Sequence, residues 1–479
     1  MKLLLLPVGL LLPTVCGWLA LTLLERDHPV LQSLERWTLS TVFGLTLTMY
    51  LSFITHILGI IRFTFTGLLA VQIVTVLVLG LVWMRMRTLW TPSPLPTLPA
   101  SPRLPRAVKM VLILLMVWTV LKLLGGFAVL TGTPPYEDDV FNNWNMRGKL
   151  FFLTQKLSLE YEAGNEALST GGVHSYPVTV PLTKTWLASL AGEWDEGLVN
   201  SVHFVWFLAS LSLVYCTLRR RLSRAWALIG AYGLCSLPLY FLHGTVAYAD
   251  VFLSVHILAA ISLLYGAVQS TDRLRRLSFL RLSALAMGLL VFTKNEGLLM
   301  YLPVLVLLVL VSLWFLRKSG KLEARDIRSA LLHYIVLIGI VLIPWILFKW
   351  FHHLNFGNAK PVSNLTIAWQ QGVANAITIN TFFEGNWIFL FPFLLCMLCV
   401  RWKDAFRSEA VIMSALLLII LLGQLPLYFF TGLSTEAVNQ TGYARGLVQL
   451  APVAITLLVL LTNSWFSQIQ LQGKDLQKN

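Results

Sequence analysis

The chain has 479 residues, of which 57% are hydrophobic and only 12% charged, with a formal net charge of +14. Together with a mean hydropathy of +0.74, this composition excludes a soluble domain and predicts an all-α protein that crosses a membrane many times. The positive charge does not point to nucleic acid, because the Lys and Arg residues flank apolar runs, where they set topology and meet anionic lipid.

A helix needs about 20 apolar residues to cross a bilayer. Such runs recur near 3–24, 38–60, 66–87, 108–130, 198–218, 225–243, 248–268, 279–293, 297–316, 329–351, 385–400, 409–430 and 444–462, which predicts thirteen spans. The first run is long, lacks an evident small-x-small cleavage site and is followed by further spans, so it reads as a retained helix rather than a signal peptide. Basic residues gather at alternate loops: Arg85, Arg87, Arg103, Arg106 and Lys109; Arg219, Arg220, Arg221 and Arg224; Arg273, Arg275, Arg276 and Arg281; Arg317, Lys318, Lys321, Arg325 and Arg328; and Arg401, Lys403 and Arg407. Lys and Arg in short loops stay cytoplasmic, and all five clusters assign the same orientation. Segments 131–197, 244–247, 293–297, 352–384 and 431–443 then lie outside.

The predicted organisation is a three-helix N-terminal part over 1–87, a linker over 88–107, a transmembrane body over 108–462 and a cytoplasmic tail over 463–479. The prolines of the linker predict an extended cytoplasmic tether. Cys16, Cys216, Cys235, Cys396 and Cys399 all fall in apolar spans, which implies neither a disulfide framework nor a zinc site.

The outer loop 131–197 is acidic in a basic chain. Its acids are Glu137, Asp138, Asp139, Glu160, Glu162, Glu166, Glu193, Asp195 and Glu196, against Arg147, Lys149, Lys156 and Lys184. Val140, Phe141, Trp144, Gly148, Phe151 and Phe152 recur at helical spacing, with Asn142, Asn143, Asn145, Arg147 and Lys149 on other faces. That pattern predicts a helix in the membrane interface, with the acidic triplet at its N-terminal end, where the helix dipole favours negative charge. A single acid there is explained equally well as a cap. Glu137 reads as capping or local electrostatics.

Other polar residues enter spans from the same side. Asp250 follows Tyr248 at the start of a span; Lys294, Asn295 and Glu296 occupy a tight turn between two apolar runs; Tyr443 and Arg445 open the last span. Each alone is explained by capping, snorkelling or an ion pair such as Lys294 with Glu296. Jointly they suit a sugar attached through phosphate to a lipid, an activated donor that needs no nucleotide. Such chemistry needs a carboxylate to take the acceptor proton and cations to stabilise the departing phosphate. Asp138 or Asp139 is the candidate base, and Lys294 and Arg445 are candidate phosphate ligands. Tyr136, Trp144, Trp186 and Trp194 can pack against a sugar ring or anchor the interface. The Tyr176–Leu182 stretch, with two prolines, shapes an acceptor groove or re-enters the interface. His174, His352 and His353 read as loop or interfacial residues, and His203, His243 and His256 as buried and hydrogen-bonded.

In the order of these signatures, the body resembles the GT-C superfamily of integral membrane glycosyltransferases, especially relatives of protein O-mannosyltransferases and of lipid A aminoarabinose transferase. In that group an acidic pair, commonly Asp-Glu, opens the first large outer loop and an arginine follows in the next helix; Asp138-Asp139 and Arg147 hold those places. A later span begins with an aspartate, as in Tyr248-Ala249-Asp250-Val251. The group's Leu-Thr-Lys-Gly-like turn is echoed by Phe292-Thr293-Lys294-Asn295-Glu296-Gly297-Leu298-Leu299, and its late Arg-Tyr pair is approximated by Tyr443-Ala444-Arg445 with Pro452 following. The chain departs from the pattern in its Asp-Asp pair, in the reversed order of Tyr443 and Arg445, and in having three spans before the acidic loop.

The resemblance implies a polytopic bundle that transfers sugar from a polyprenyl-phosphate donor to a lipid, glycan or protein acceptor on the outer face of a bacterial inner or plasma membrane. It implies Asp138 as general base, with Asp139 second; Asp250 orienting acceptor, helix or metal; and Arg147, Lys294, Glu296, Tyr443 and Arg445 contacting substrate or phosphate. Members of the group differ in metal requirement. Asp138, Asp139 and Asp250 are candidate oxygen ligands for Mg or Mn. Two rival classes remain: a ligase or polymerase of lipid-linked glycans, and a secondary transporter, which would carry its ionisable groups nearer the bilayer midplane.

Overall fold

The computed structural model describes residues 2–91, 93–159, 173–357 and 367–476. Glu160, Glu162 and Glu166 lie outside the described residues. Among the described residues the chain is helical and has no strand. In order the helices are α1 (Leu5–Glu25), α2 (Ser33–Ile57), α3 (Phe65–Arg87), α4 (Arg106–Gly132), α5 (Met146–Thr154), α6 (Thr179–Ala191), α7 (Glu196–Arg219), α8 (Arg224–Ser236), α9 (Pro238–Thr245), α10 (Asp250–Gln269), α11 (Arg273–Leu290), α12 (Leu302–Lys318) and α13 (Ala324–Phe351). They are followed by α14 (Val373–Thr378), α15 (Leu390–Val400), α16 (Trp402–Arg407), α17 (Val411–Phe430), α18 (Ser434–Val438) and α19 (Gly442–Leu476). Wide π turns, Val140–Asn145 and Gly297–Tyr301, lead into α5 and α12.

Among the described residues ten helices are long and apolar enough to span a membrane, or up to twelve if each of two bent pairs counts as one span. The protein is an integral, multi-pass membrane protein. Its spans fall short of the expected thirteen for physical reasons. The 225–243 run breaks between α8 and α9 by 76°, where Pro238 removes a backbone donor and starts a new helix. The 385–400 run breaks by 109° at Ile388 and Phe389, both with positive φ. The 279–293 run is part of α11, an 18-residue helix carrying Arg273, Arg275, Arg276 and Arg281, too charged to qualify by composition.

The helices form two compact units. The first comprises Met1–Pro96, Leu124–Ala209 and His243–Asn364; the second comprises Thr97–Leu123, Ser210–Leu242 and Leu365–Asn479. In the first unit α10 is apolar all round and 94% of its most apolar stretch is buried, the signature of a central helix. It packs on α11, and α11 on α13. The N-terminal helices join this core: Thr46 Oγ1 hydrogen-bonds His256 Nε2 at 3.0 Å, and the Tyr50 hydroxyl donates to the Ile340 carbonyl. Helices α1 and α2 cross at Gly17 and Gly44, where an added Cβ would lie 2.0 Å from Ser40 O and 1.8 Å from Pro13 O. Small residues permit such close backbone approach in membranes.

The basic end of this unit is held by arginines that face the protein. Arg273 grips Asp326 with two 2.8 Å bonds, while Arg276 donates to the carbonyls of Ala267, Ser270 and Lys321 and Arg281 to those of Leu24 and Glu25. Helix α10 therefore starts, and α13 ends, at the end opposite to this cluster. In the second unit α15 and α8 pack on α19, and α17 on α18 and α19.

Candidate active site

In the first unit, Asp250 opens α10 and Lys294 lies in the turn after α11; both are completely buried, with Lys294 Nζ 2.8 Å from Asp250 Oδ1. The turn is tight because Gly297 N–H donates to Lys294 O at 3.0 Å, and a Cβ on Gly297 would approach Leu290 O to 2.7 Å. Lys294 also meets Glu296 Oε1 at 3.3 Å. On the other side of Asp250, His243 Nδ1 lies 3.5 Å from Oδ2, and the His243 ring stacks on Tyr248 with centroids 4.8 Å apart. Buried charges are tolerated when so paired and hydrogen-bonded.

A second layer is cationic. Lys349, buried near the end of α13, donates to Asn295 Oδ1 at 2.8 Å and Asn355 O at 2.9 Å. Asn295 in turn donates to Ser175 Oγ at 3.1 Å. Lys294 Nζ lies 5.7 Å from the Tyr176 ring centroid, and Arg147 donates to the Tyr176 carbonyl at 3.1 Å. The segment around Val173–Ser175 thus joins the Lys294 turn, α13 and α5. Burial and the Arg147 charge hold the His174 imidazole below its usual range.

The helix expected from residue 140 is present, and its first backbone bonds run from Val140 N and Phe141 N to the Glu137 carbonyl, while the Asp139 side chain makes no capping bond. Asp138 is exposed and accepts from Asn142, and Asp139 is half-buried. The next residue, Val140, packs with Leu130, Val246 and Ala247, with Tyr248 against the same cluster. This small core seats the acidic pair beside the loop that runs into Asp250.

The helix does not lie with its polar side in water. Asn143, Asn145 and Arg147 are buried, while Phe141 is 65% exposed, because α5 crosses α6 closely enough that a Cβ on Gly148 would lie 3.1 Å from Pro181 O. Lys184 of α6, fully buried, donates to Asn145 and to Asn200 Oδ1, the latter at 2.8 Å. Asn145 donates to Glu196. Burial lowers the Lys184 pKa to about 7, opposed by the Glu196 charge. Trp144 and Trp186 are core residues rather than sugar platforms, Trp186 donating to Gly9 O at 2.8 Å; Trp194 donates to Glu196 at 2.6 Å.

Asp138, Asp139, Arg147, Asp250, Lys294 and Glu296 therefore all belong to one unit. Tyr443 and Arg445 belong to the other, where the Tyr443 hydroxyl is engaged with Thr381 Oγ1 at 2.7 Å. Of the carboxylates that could take a divalent cation, Asp250 already engages Lys294 through Oδ1. Among the described residues no three His, Cys, Asp or Glu side chains gather as metal ligands. Lys349 escaped the sequence reading, Lys184 entered it only as one charge of the outer loop, and Tyr176 only as the start of the Tyr176–Leu182 stretch. For Lys349 a signal existed, a cation isolated at the end of the apolar run Ile338–Phe348, where an intramembrane charge marks function by default.

Residues 191–358 match the family model of the dolichyl-phosphate-mannose-protein mannosyltransferases. The structure is similar to that of ArnT from Cupriavidus metallidurans in the apo state, with a TM-score of 0.51 at 14% identity, over 76% of this chain and 62% of that one. The chain thus has an ArnT-like fold. ArnT of the same organism bound to undecaprenyl phosphate gives 0.50 at 13% identity, over 76% of this chain and 63% of that one. The chain thus spans less than two thirds of the ArnT length. No curated protein matches the sequence significantly. Asp250, Lys294, Glu296 and Lys349 fall inside the family-model segment, with Asp138, Asp139 and Arg147 ahead of it.

Proposed function

We propose that the chain is a membrane glycosyltransferase that takes a sugar from a polyprenyl-phosphate carrier at the outer membrane face and transfers it to a lipid, glycan or protein acceptor. The observation that carries this reading is the buried Asp250–Lys294 pair with the half-buried Glu296 beside it, backed by Lys349 and Arg147, within an ArnT-like fold. In the reaction, the acceptor hydroxyl oxygen attacks the anomeric carbon and its proton passes to Asp138, with Asp139 the alternative base. The bond from that carbon to the phosphate oxygen breaks, and the phosphate leaves with the electron pair. Arg147 and Lys294 stabilise the charge developing on the phosphate. Asp250 holds Lys294 in place, and no step is routed through a metal. Outer-face placement is supported by the basic loops at the opposite end of the helices.

The test uses purified protein, a synthetic polyprenyl-phosphate sugar, and lipid, glycan and protein fractions in turn, with release of free polyprenyl phosphate as readout. Asp138→Asn is expected to abolish release while its circular dichroism stays native; surviving activity rejects that base. Consumption of a glycan carried on pyrophosphate instead would favour the ligase reading. Solute movement across sealed vesicles without donor consumption would reject the enzyme.

A further inference from the structure

The Pro-rich stretch after α3 takes no part in this chemistry, yet it walls a cavity. In the second unit, Ser101, Pro102 and Leu104 close an apolar groove of about 630 Å³ against α4 and α8. Its length is lined from Leu112 to Leu121 of α4 and by Ala225 and Leu228 of α8. Polar groups are confined to one end, where Ser101, Lys109, Ser223 and Arg224 meet. The Arg224 backbone N–H donates to Ser101 Oγ at 3.0 Å, which ties the stretch to the first turn of α8. Lys109 and Arg224 are exposed, and among the described residues neither side chain has an acid partner.

The groove is therefore zoned like a lipid, with two cations at its head and hydrocarbon along its body. None of the most apolar stretch of α4 is buried inside the protein, so this face meets the bilayer. From Lys109 to Leu121 the helix rises roughly 18 Å, close to one leaflet of a hydrocarbon core about 30 Å thick. We propose that the groove binds an anionic glycerophospholipid of the leaflet that the basic loops face, its phosphate between Lys109 and Arg224 and an acyl chain along α4.

Two cations beside one headgroup predict a roughly thirty-fold preference for phosphatidylglycerol over phosphatidylcholine. The full-length protein in nanodiscs of mixed phosphatidylcholine and phosphatidylglycerol, analysed by native mass spectrometry, is expected to retain phosphatidylglycerol. The double variant K109Q/R224Q should lose that preference, while R317Q/K318Q, in another basic loop, should keep it. Val117→Trp, which fills the groove and spares both cations, should expel the lipid. Equal retention of the two lipids, unchanged retention in K109Q/R224Q, a polyprenyl phosphate that displaces the lipid in preference, or a dimer that Val117→Trp dissolves would each overturn the proposal.

Discussion

Removing Lys294 should cost more stability than removing its partner Asp250, although the two form one ion pair. Both side chains are fully buried with Nζ and Oδ1 at 2.8 Å, so deleting one leaves a charge that water does not reach. Breaking such a pair typically costs about 3–5 kcal/mol. The pair is not symmetric, however. In Asp250→Asn the ammonium keeps Glu296 at 3.3 Å, and the loss falls to that of one hydrogen-bonding partner, about 1–3 kcal/mol. In Lys294→Met the Asp250 carboxylate loses its ammonium and keeps the more distant His243, at 3.5 Å, so most of the penalty applies. At about 2.1 cal/mol/K of unfolding entropy per residue, a chain of 479 residues shifts by on the order of 1 °C per kcal/mol. The melting temperature in detergent should therefore drop by about 3–5 °C for Lys294→Met and about 1–3 °C for Asp250→Asn. The double variant Asp250→Asn/Lys294→Met should melt above Lys294→Met, because it no longer buries a carboxylate stripped of its ammonium. All three should lose transfer activity, which separates stability from chemistry. Equal melting of Lys294→Met and wild type, or a double variant that loses the sum of the singles, would refute the coupling.

Other positions read out separate parts of the structure. Arg147→Lys, which exchanges a planar fork for a point charge, should raise KM for the lipid-linked donor about tenfold with little change in melting; an unchanged KM removes Arg147 from the phosphate site. Lys184 has its pKa lowered from 10.5 to about 7, so between those values the unfolded chain holds more protons and stability rises with pH. Lys184→Met should abolish that rise, and parallel melting curves for the two proteins across the window would show that the network does not carry it. Gly44→Val drives a Cβ into the backbone of Pro13, whereas Gly80 has nothing within 4 Å of its added Cβ. The first should lose about 1–3 kcal/mol or more and Gly80→Val little, with comparable melting of the two as the contrary result.

The helices were legible because a bilayer demands long apolar runs, and the turn at Lys294 because three polar residues interrupt two of them. The acid at the start of α10 was legible for the same reason. Partner choice was not. Asn143, Asn145 and Arg147 look like a wet helix face, yet they are buried, because α6 arrives from a distant stretch of sequence to cover them. Lys349 and Asn295 are joined across 54 residues, a pairing that no local period encodes. Hydropathy also misjudges α11, whose arginines bond backbone carbonyls of α1 and the adjoining loops inside the protein. In a membrane an apolar surface is at no disadvantage when exposed, so the pattern that reveals a soluble core says little about which faces meet.

The wide turns at Val140–Asn145 and Gly297–Tyr301 give the site an unusual kind of adjustability. Each carries about one residue more than a regular α-helical turn, and each residue of an α-helix advances the chain by 100°. Shortening either turn by one residue would swing the residues ahead of it by about that angle, turning Asp138 and Asp139 relative to Arg147, or Lys294 and Glu296 relative to α12. Relatives with the same side chains could thus present them to differently shaped acceptors through backbone phase alone. An alignment scored only by residue identity would not register the change.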